Sequence, residues 1–182
     1  MAEDLRAACE GLAADPRRAC VIVDVDEVLA LFVQGFRAWL EARGYELRME
    51  SFRLFGAMHA RGMDEPLERA EARALFDRFF AEGCADLPVT PDAPQALARL
   101  ARRAQVVVLT AAPPQARAGR QGWLAANGLP YPLVFSDGVK GAAVRALHGA
   151  AGGPCAFVDD LLPNLDSVAA EAPEVARFQL VA

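Results

Sequence analysis

Four short apolar runs constrain this chain more than any other feature of it. They are Cys20-Val21-Ile22-Val23, Gln105-Val106-Val107-Val108-Leu109, Pro132-Leu133-Val134-Phe135 and Cys155-Ala156-Phe157-Val158, with a fifth candidate at Arg177-Phe178-Gln179-Leu180-Val181. The first, second and fourth are continuous rather than alternating, the pattern of strands covered by helices on both faces. Helical stretches over roughly 92–103, 114–126, 140–149 and 164–171 lie among them. Strand alternating with helix in this way predicts an α/β chain with a Rossmann-like parallel sheet built from βαβ units.

One segment breaks the rhythm. About eighty residues separate the first run from the second, far more than a single crossover helix requires. Phe32, Phe36, Trp39 and Leu40 share one helical face there, and Leu67, Ala70, Ala74, Leu75 and Phe79 share another. Residues 32–88 therefore read as a small helical insertion, and residues 1–31 and 89–182 as the sheet-bearing core. Pro88, Pro91 and Pro94 mark the return to that core.

A chain of 182 residues suffices for one packed domain with a modest insertion. Its 54% apolar content excludes disorder, and its net charge of −5 gives no basic stripe for nucleic acid. Cys9, Cys20, Cys84 and Cys155 form no C-x-x-C pair and read as reduced, buried and inert. The sequence opens without a basic, apolar-cored leader, and no apolar run reaches the ~20 residues a membrane helix needs. The expectation is a cytoplasmic protein, a monomer or homodimer, with no nucleic-acid or membrane partner.

In an open parallel sheet, ligands bind beyond the C-terminal ends of the strands, and this chain places polar groups there. The first run ends in Asp24-Val25-Asp26-Glu27, the second in Thr110-Ala111-Ala112, and the fourth in Asp159-Asp160 with Asn164 beyond. Lys140 follows the third and starts a helix. Side chains two apart on a strand share a side, so Asp24 and Asp26 provide one carboxylate to attack and one to exchange protons. The Thr110 hydroxyl and the next backbone N–H can hold a phosphoryl oxygen. Adjacent acids at a strand end repel, and a hard oxygen-seeking cation such as Mg²⁺ relieves them. Composition sharpens the reading of Lys140. The chain has eighteen arginines and this single lysine, which points to a site needing a compact ammonium that a guanidinium fork cannot imitate.

The ordered set Asp24-Val25-Asp26-Glu27-Val28, Thr110, Lys140 and Asp159-Asp160-x-x-x-Asn164 resembles the four motifs of the haloacid dehalogenase (HAD) superfamily. The insertion is similar in position to that superfamily's C1-type cap. The resemblance implies a Mg²⁺-dependent phosphomonoester hydrolase acting on a small phosphorylated metabolite, a nucleotidase-like substrate being one form of it. Asp24 would be the nucleophile that becomes an aspartyl phosphate, and Asp26 the general acid and then base. Thr110, Ala111 and Lys140 would hold the phosphoryl group. Mg²⁺ would be held by Asp24, the main-chain carbonyl of Asp26 and Asp160, with Asp159 assisting through a water. Two positions depart from the usual pattern: Glu27 stands where Gly is common, and Asn164 replaces a second acid, which predicts weaker metal affinity. The alternative is a catalytically silent phosphate- or metal-binding protein of the same fold. A receiver-like phosphoacceptor uses similar residues in the reverse order and has no use for Asp26 or the insertion.

Within the insertion, Phe32, Phe36, Phe52, Phe55, Met58, His59 and Arg61 have the chemistry to read a leaving group. Most of these read as the insertion's own core. His59 and Arg61, taken as a polar pair in a Gly-flanked turn, are the substrate-binding candidates.

Overall fold

The computed structural model describes residues 2–16, 18–49 and 54–181. The chain begins with α1 (Glu3–Ala13) and β1 (Ala19–Val23), followed by α2 (Phe32–Glu41), β2 (Tyr45–Leu47), β3 (Met58–Ala60) and α3 (Arg69–Glu82). It continues through α4 (Ala93–Ala101), β4 (Ala104–Thr110), a short 3-10 turn at Pro114–Ala116 and α5 (Arg117–Ala126). The last elements are β5 (Leu133–Phe135), α6 (Gly141–Ala151), β6 (Cys155–Asp159), α7 (Leu162–Glu171) and β7 (Ala176–Gln179).

Five strands form one sheet in the order β5-β4-β1-β6-β7, and every pairing in it is parallel. The apolar runs correspond to these strands, including the fifth. From β1 the chain moves outward on one side to β4 and β5, then crosses to β6 and β7 on the other. The reversal of strand order beside β1 opens a crevice at its C-terminal end, where such sheets bind ligands. Register fixes what meets there. Val23 lies opposite both Val108 and Val158, so Asp24 and Asp159 emerge side by side, with Thr110 one residue further along the adjoining strand β4.

Burial on both faces explains why the central strands are continuously apolar. Ile22, Val107, Leu109, Val134 and Phe157 pack in one cluster with Ala8 and Leu12 of α1, Val144 and Leu147 of α6, and Leu165 and Val168 of α7. α1 was not anticipated from the sequence. Its Asp4 Oδ2 accepts the Phe135 N–H at 2.8 Å, which satisfies a main-chain donor of the edge strand β5. β7, the other edge, is exposed along its whole length.

The chain divides into two compact units, one comprising residues 1–30, 89–112 and 124–182, the other Leu31–Pro88 with Pro113–Trp123. The second unit is built on aromatic packing. Phe32, Phe36, Trp39, Phe76, Phe79 and Phe80 meet with ring centroids from 4.9 to 6.4 Å apart, mostly in the tilted, offset or edge arrangements that ring quadrupoles favour. The segment Pro113–Trp123 joins this unit partly through the Trp123 indole, whose buried N–H donates to the Leu87 carbonyl at 2.7 Å.

Three expectations for the insertion need correction. It is not wholly helical, because β2 and β3 pair as an antiparallel hairpin. The buried face of α3 is Ala72, Leu75, Phe79 and Phe80; Ala70 and Ala74 are exposed, and Leu67 precedes the helix. His59 is not in a turn. It lies on β3 opposite Glu46 and is buried, whereas Arg61 is exposed and donates to the Glu41 carbonyl. Phe52 lies outside the described residues.

Candidate active site

The C-terminal rim of the sheet carries an acidic cluster closed by the chain's one lysine. Asp24 follows β1 and is buried; its N–H continues the ladder to the Val158 carbonyl at 3.0 Å. One of its carboxylate oxygens accepts the Val25 N–H at 2.6 Å. Beyond it the backbone turns tightly: the Leu29 and Ala30 N–H groups both reach the Val25 carbonyl at 2.8 Å. Glu27 sits in that turn with φ of +56°, the left-handed region that glycine adopts without strain. The position where Gly is common in similar motifs is thus one where backbone geometry favours it.

Lys140 stands immediately before α6 and is 1% exposed. Its Nζ lies 2.5 Å from Asp24 Oδ1 and 2.7 Å from Asp159 Oδ2. Burial alone would push this ammonium down, but the Asp24 and Asp159 carboxylates outweigh it and hold it above the usual lysine range. A buried lysine without such partners would lose its proton. The charge is therefore built into the site.

Asp159 is fully buried and saturated with donors. Besides Lys140, its oxygens accept the Leu161 N–H at 2.9 Å and the Asn164 amide at 3.0 and 3.1 Å. Asn164 was expected as a weakened substitute for a second acid. Its amide instead serves as a donor that fixes Asp159, a role a carboxylate cannot fill.

Asp24, Asp159 and Asp160 bring carboxylate oxygens within 4.8 Å of one another. Burial, opposed by Lys140 but reinforced by Asp159 and Asp26, pushes the Asp24 carboxyl up to about 7. Burial and the Asp159 charge push half-buried Asp160 up to about 6. A short ion pair and a raised carboxyl are compatible here, because one ammonium serves several crowded acids. The donor set is all oxygen, crowded and anionic. It fits a hard divalent cation, whose charge would relieve the repulsion that raises both groups. Asp159, already holding four donor contacts, is the least free of the three to turn toward it.

Asp26 lies within electrostatic reach of Asp24, since its charge contributes to raising that carboxyl. Thr110 is fully buried; its hydroxyl oxygen accepts the Ala112 N–H at 3.1 Å, which leaves the hydroxyl hydrogen to donate. Its carbonyl accepts the Ser136 N–H at 2.9 Å. Ala111, between them, is exposed. The structure therefore gathers Asp24, Asp159, Asp160 and Lys140 directly, sets Asp26 beside Asp24, and places Thr110 on the adjoining strand. His59 and Arg61 belong to the second compact unit. Ser167 went unrecognised in the sequence. Its Oγ accepts the Gly141 N–H at 3.0 Å, and a lone serine in a helix gives no signal of such a contact.

No family model matches the chain, and no curated protein matches it. Solved structures do. A haloacid dehalogenase-like family hydrolase from Streptococcus pneumoniae is 12% identical with a TM-score of 0.63, covering 91% of this chain and 85% of that one. A HAD-superfamily hydrolase of subfamily IA from Geobacter sulfurreducens PCA is 18% identical with a TM-score of 0.54, covering 91% and 87%. A chain of the Pnkp1/Rnl/Hen1 RNA repair complex is 13% identical with a TM-score of 0.51, covering 90% of this chain. This chain spans less than half the length of that protein, 42% of it. At such identities the likeness defines the fold, which is HAD-like. Among the described residues no helix is long and apolar enough to cross a membrane.

Proposed function

We propose that this protein is a Mg²⁺-dependent phosphomonoester hydrolase that works through an aspartyl phosphate on Asp24. The observation that carries the reading is the buried Lys140 ammonium shared between Asp24 and Asp159, with Asp160 completing the acidic cluster. Phosphoryl transfer asks mainly for positioning and charge neutralisation, and this rim concentrates both. The hydrolase names of the two HAD-like structures agree with it. The net charge of −5 counts against a nucleic-acid substrate, so a small phosphorylated metabolite is favoured.

Asp24 attacks the phosphorus while Lys140, beside its carboxylate, favours its anionic form against burial and offsets the charge of the incoming group. Asp26 gives a proton to the leaving oxygen and later takes one from the attacking water. Thr110 donates its hydroxyl hydrogen to a phosphoryl oxygen, and the Ala111 N–H extends the same cradle. Asp24, Asp160 and the Asp26 carbonyl would hold the divalent cation, which would supply the remaining charge neutralisation. Asp159 orients Lys140. His59 receives no substrate role, because it is a core residue of its own unit.

The test is a panel of phosphorylated metabolites assayed with Mg²⁺, with Asp24→Asn as control. Turnover by the native chain and its loss in Asp24→Asn, with the thermal transition preserved, support the reading. Full activity in Asp24→Asn removes the nucleophile assignment. A native chain that binds Mg²⁺ but turns over nothing points instead to a silent phosphate- or metal-binding protein.

A further inference from the structure

Lys140 is held at both ends by the same turn of α7. At its tip, Nζ contacts Asp24 and Asp159, and the Asn164 amide pins both oxygens of Asp159. At its root, Lys140 opens α6 without a side-chain cap bond, so the first N–H groups of that helix need other acceptors. The Gly141 N–H finds one in Ser167 Oγ at 3.0 Å, and that hydroxyl donates its own hydrogen to the Asn164 carbonyl at 2.7 Å. One hydroxyl thus ties the start of α6 to the residue that fixes the lysine's partner. The approach is close. A Cβ at position 141 would fall 2.8 Å from the Ser167 carbonyl carbon and 2.9 Å from Glu171 Cγ.

We propose that Asn164 and Ser167 form a positioning pair for Lys140: Ser167 sets the main chain from which the side chain departs, and Asn164 sets the carboxylate on which it ends. A flexible four-carbon stem loses much rotamer freedom when fixed, and anchoring both ends restricts the ammonium to the Asp24 side of the rim. The inference rests on the proposed reaction only for its consequence in rate. The geometry stands apart from it.

Because Lys140 is the sole lysine, an amine reagent reads one side chain once the N-terminal amine is resolved by peptide mass mapping. The full chain is treated with trinitrobenzenesulfonate at fixed pH, and exchange of the β1 and β4 amide hydrogens is followed in parallel. Ser167→Ala and Asn164→Ala are expected to speed modification of Lys140 about five- to tenfold, as loss of one hydrogen bond of ordinary net strength allows, with core exchange unchanged. Ser167→Thr, which keeps the hydroxyl, should stay protected. Wild-type protection in both alanine variants overturns the proposal, as does Ser167→Thr reacting as fast as Ser167→Ala. So does Lys140 exposure that rises only in step with core exchange, since the residues would then hold the fold rather than the lysine. With p-nitrophenyl phosphate and Mg²⁺, Ser167→Ala should lower kcat/KM about tenfold, the scale of a slight misplacement, and Ser167→Thr should restore it. Absence of turnover by the native chain sinks the phosphatase reading and leaves the labelling result to stand by itself.

Discussion

Asp160→Asn should stabilise the metal-free protein and abolish its response to magnesium. Burial and the Asp159 charge raise the Asp160 carboxyl from an ordinary 3.8 to about 6. Taken in full, that shift corresponds to about 3 kcal/mol of penalty for holding the group ionised. Asp160 is only half-buried, and solvent screening brings the expected figure to about 1 kcal/mol. For a chain of 182 residues this means a rise of about 2–4 °C in Tm. The sign follows from linkage. A carboxyl raised in the folded state contributes stability that is complete below its ordinary value and is lost as pH rises through about 6. The gain from Asn should therefore be full at about pH 8, fall to roughly half at about pH 5 and vanish only below about pH 4. Magnesium at tenfold over its Kd should add ~1.4 kcal/mol to the native chain, about 3–6 °C, and nothing comparable to the variant. The assay is thermal unfolding in EDTA and in Mg²⁺ at both pH values. A variant less stable than the native chain in EDTA refutes the electrostatic reasoning; an undiminished magnesium shift refutes the ligand assignment.

Lys140→Met leaves Asp24 and Asp159 buried without their cation, and breaking a buried pair in this way costs about 3–5 kcal/mol. Urea unfolding of the metal-free chain should show a loss of that order; a loss below about 1 kcal/mol would refute the claim that the lysine's charge is built into the site. Gly141→Ala and Gly149→Ala, both on α6, should move stability in opposite directions. The first drives a methyl group into the α7 backbone at Ser167 and should cost about 1–3 kcal/mol. The second meets nothing within 4 Å and should gain about 0.5–1 kcal/mol from helix propensity. Equal shifts in the two denaturation midpoints would contradict the close approach of α6 and α7.

The sheet was legible because its central strands are buried on both faces, which forces long apolar runs such as Val106 to Leu109. Parallel strands also deliver their polar residues to one rim, so a reading of strand ends located Asp24, Thr110, Lys140 and Asp159-Asp160 together. The β2–β3 hairpin was not legible. Each strand has three residues, too few for a period-two pattern to stand out from chance. His59 was misread for the same reason: a polar side chain near Gly62 looks like a turn until the pairing with Glu46 is known. The joining of Pro113–Trp123 to the aromatic unit depends on tertiary contacts such as the Trp123–Leu87 hydrogen bond, which sequence spacing does not encode.

Asn164 marks the boundary between reading a residue and reading its neighbours. Counted as a ligand, it is one carboxylate fewer and implies a weaker metal site. Placed beside Asp159, it is a donor to a buried carboxylate that already holds Lys140. An acid there would set two carboxylates against each other in a buried setting and draw the ammonium away from Asp24. The amide adds a donor to Asp159 and brings no competing charge. The negative charge available to a cation then falls to Asp24 and Asp160, the two carboxyls that burial and crowding push up. What looks like a lost ligand fixes the lysine's second partner: Asp159 and Asp24 share the ammonium, and Asp24 and Asp160 keep the oxygens that could hold a cation.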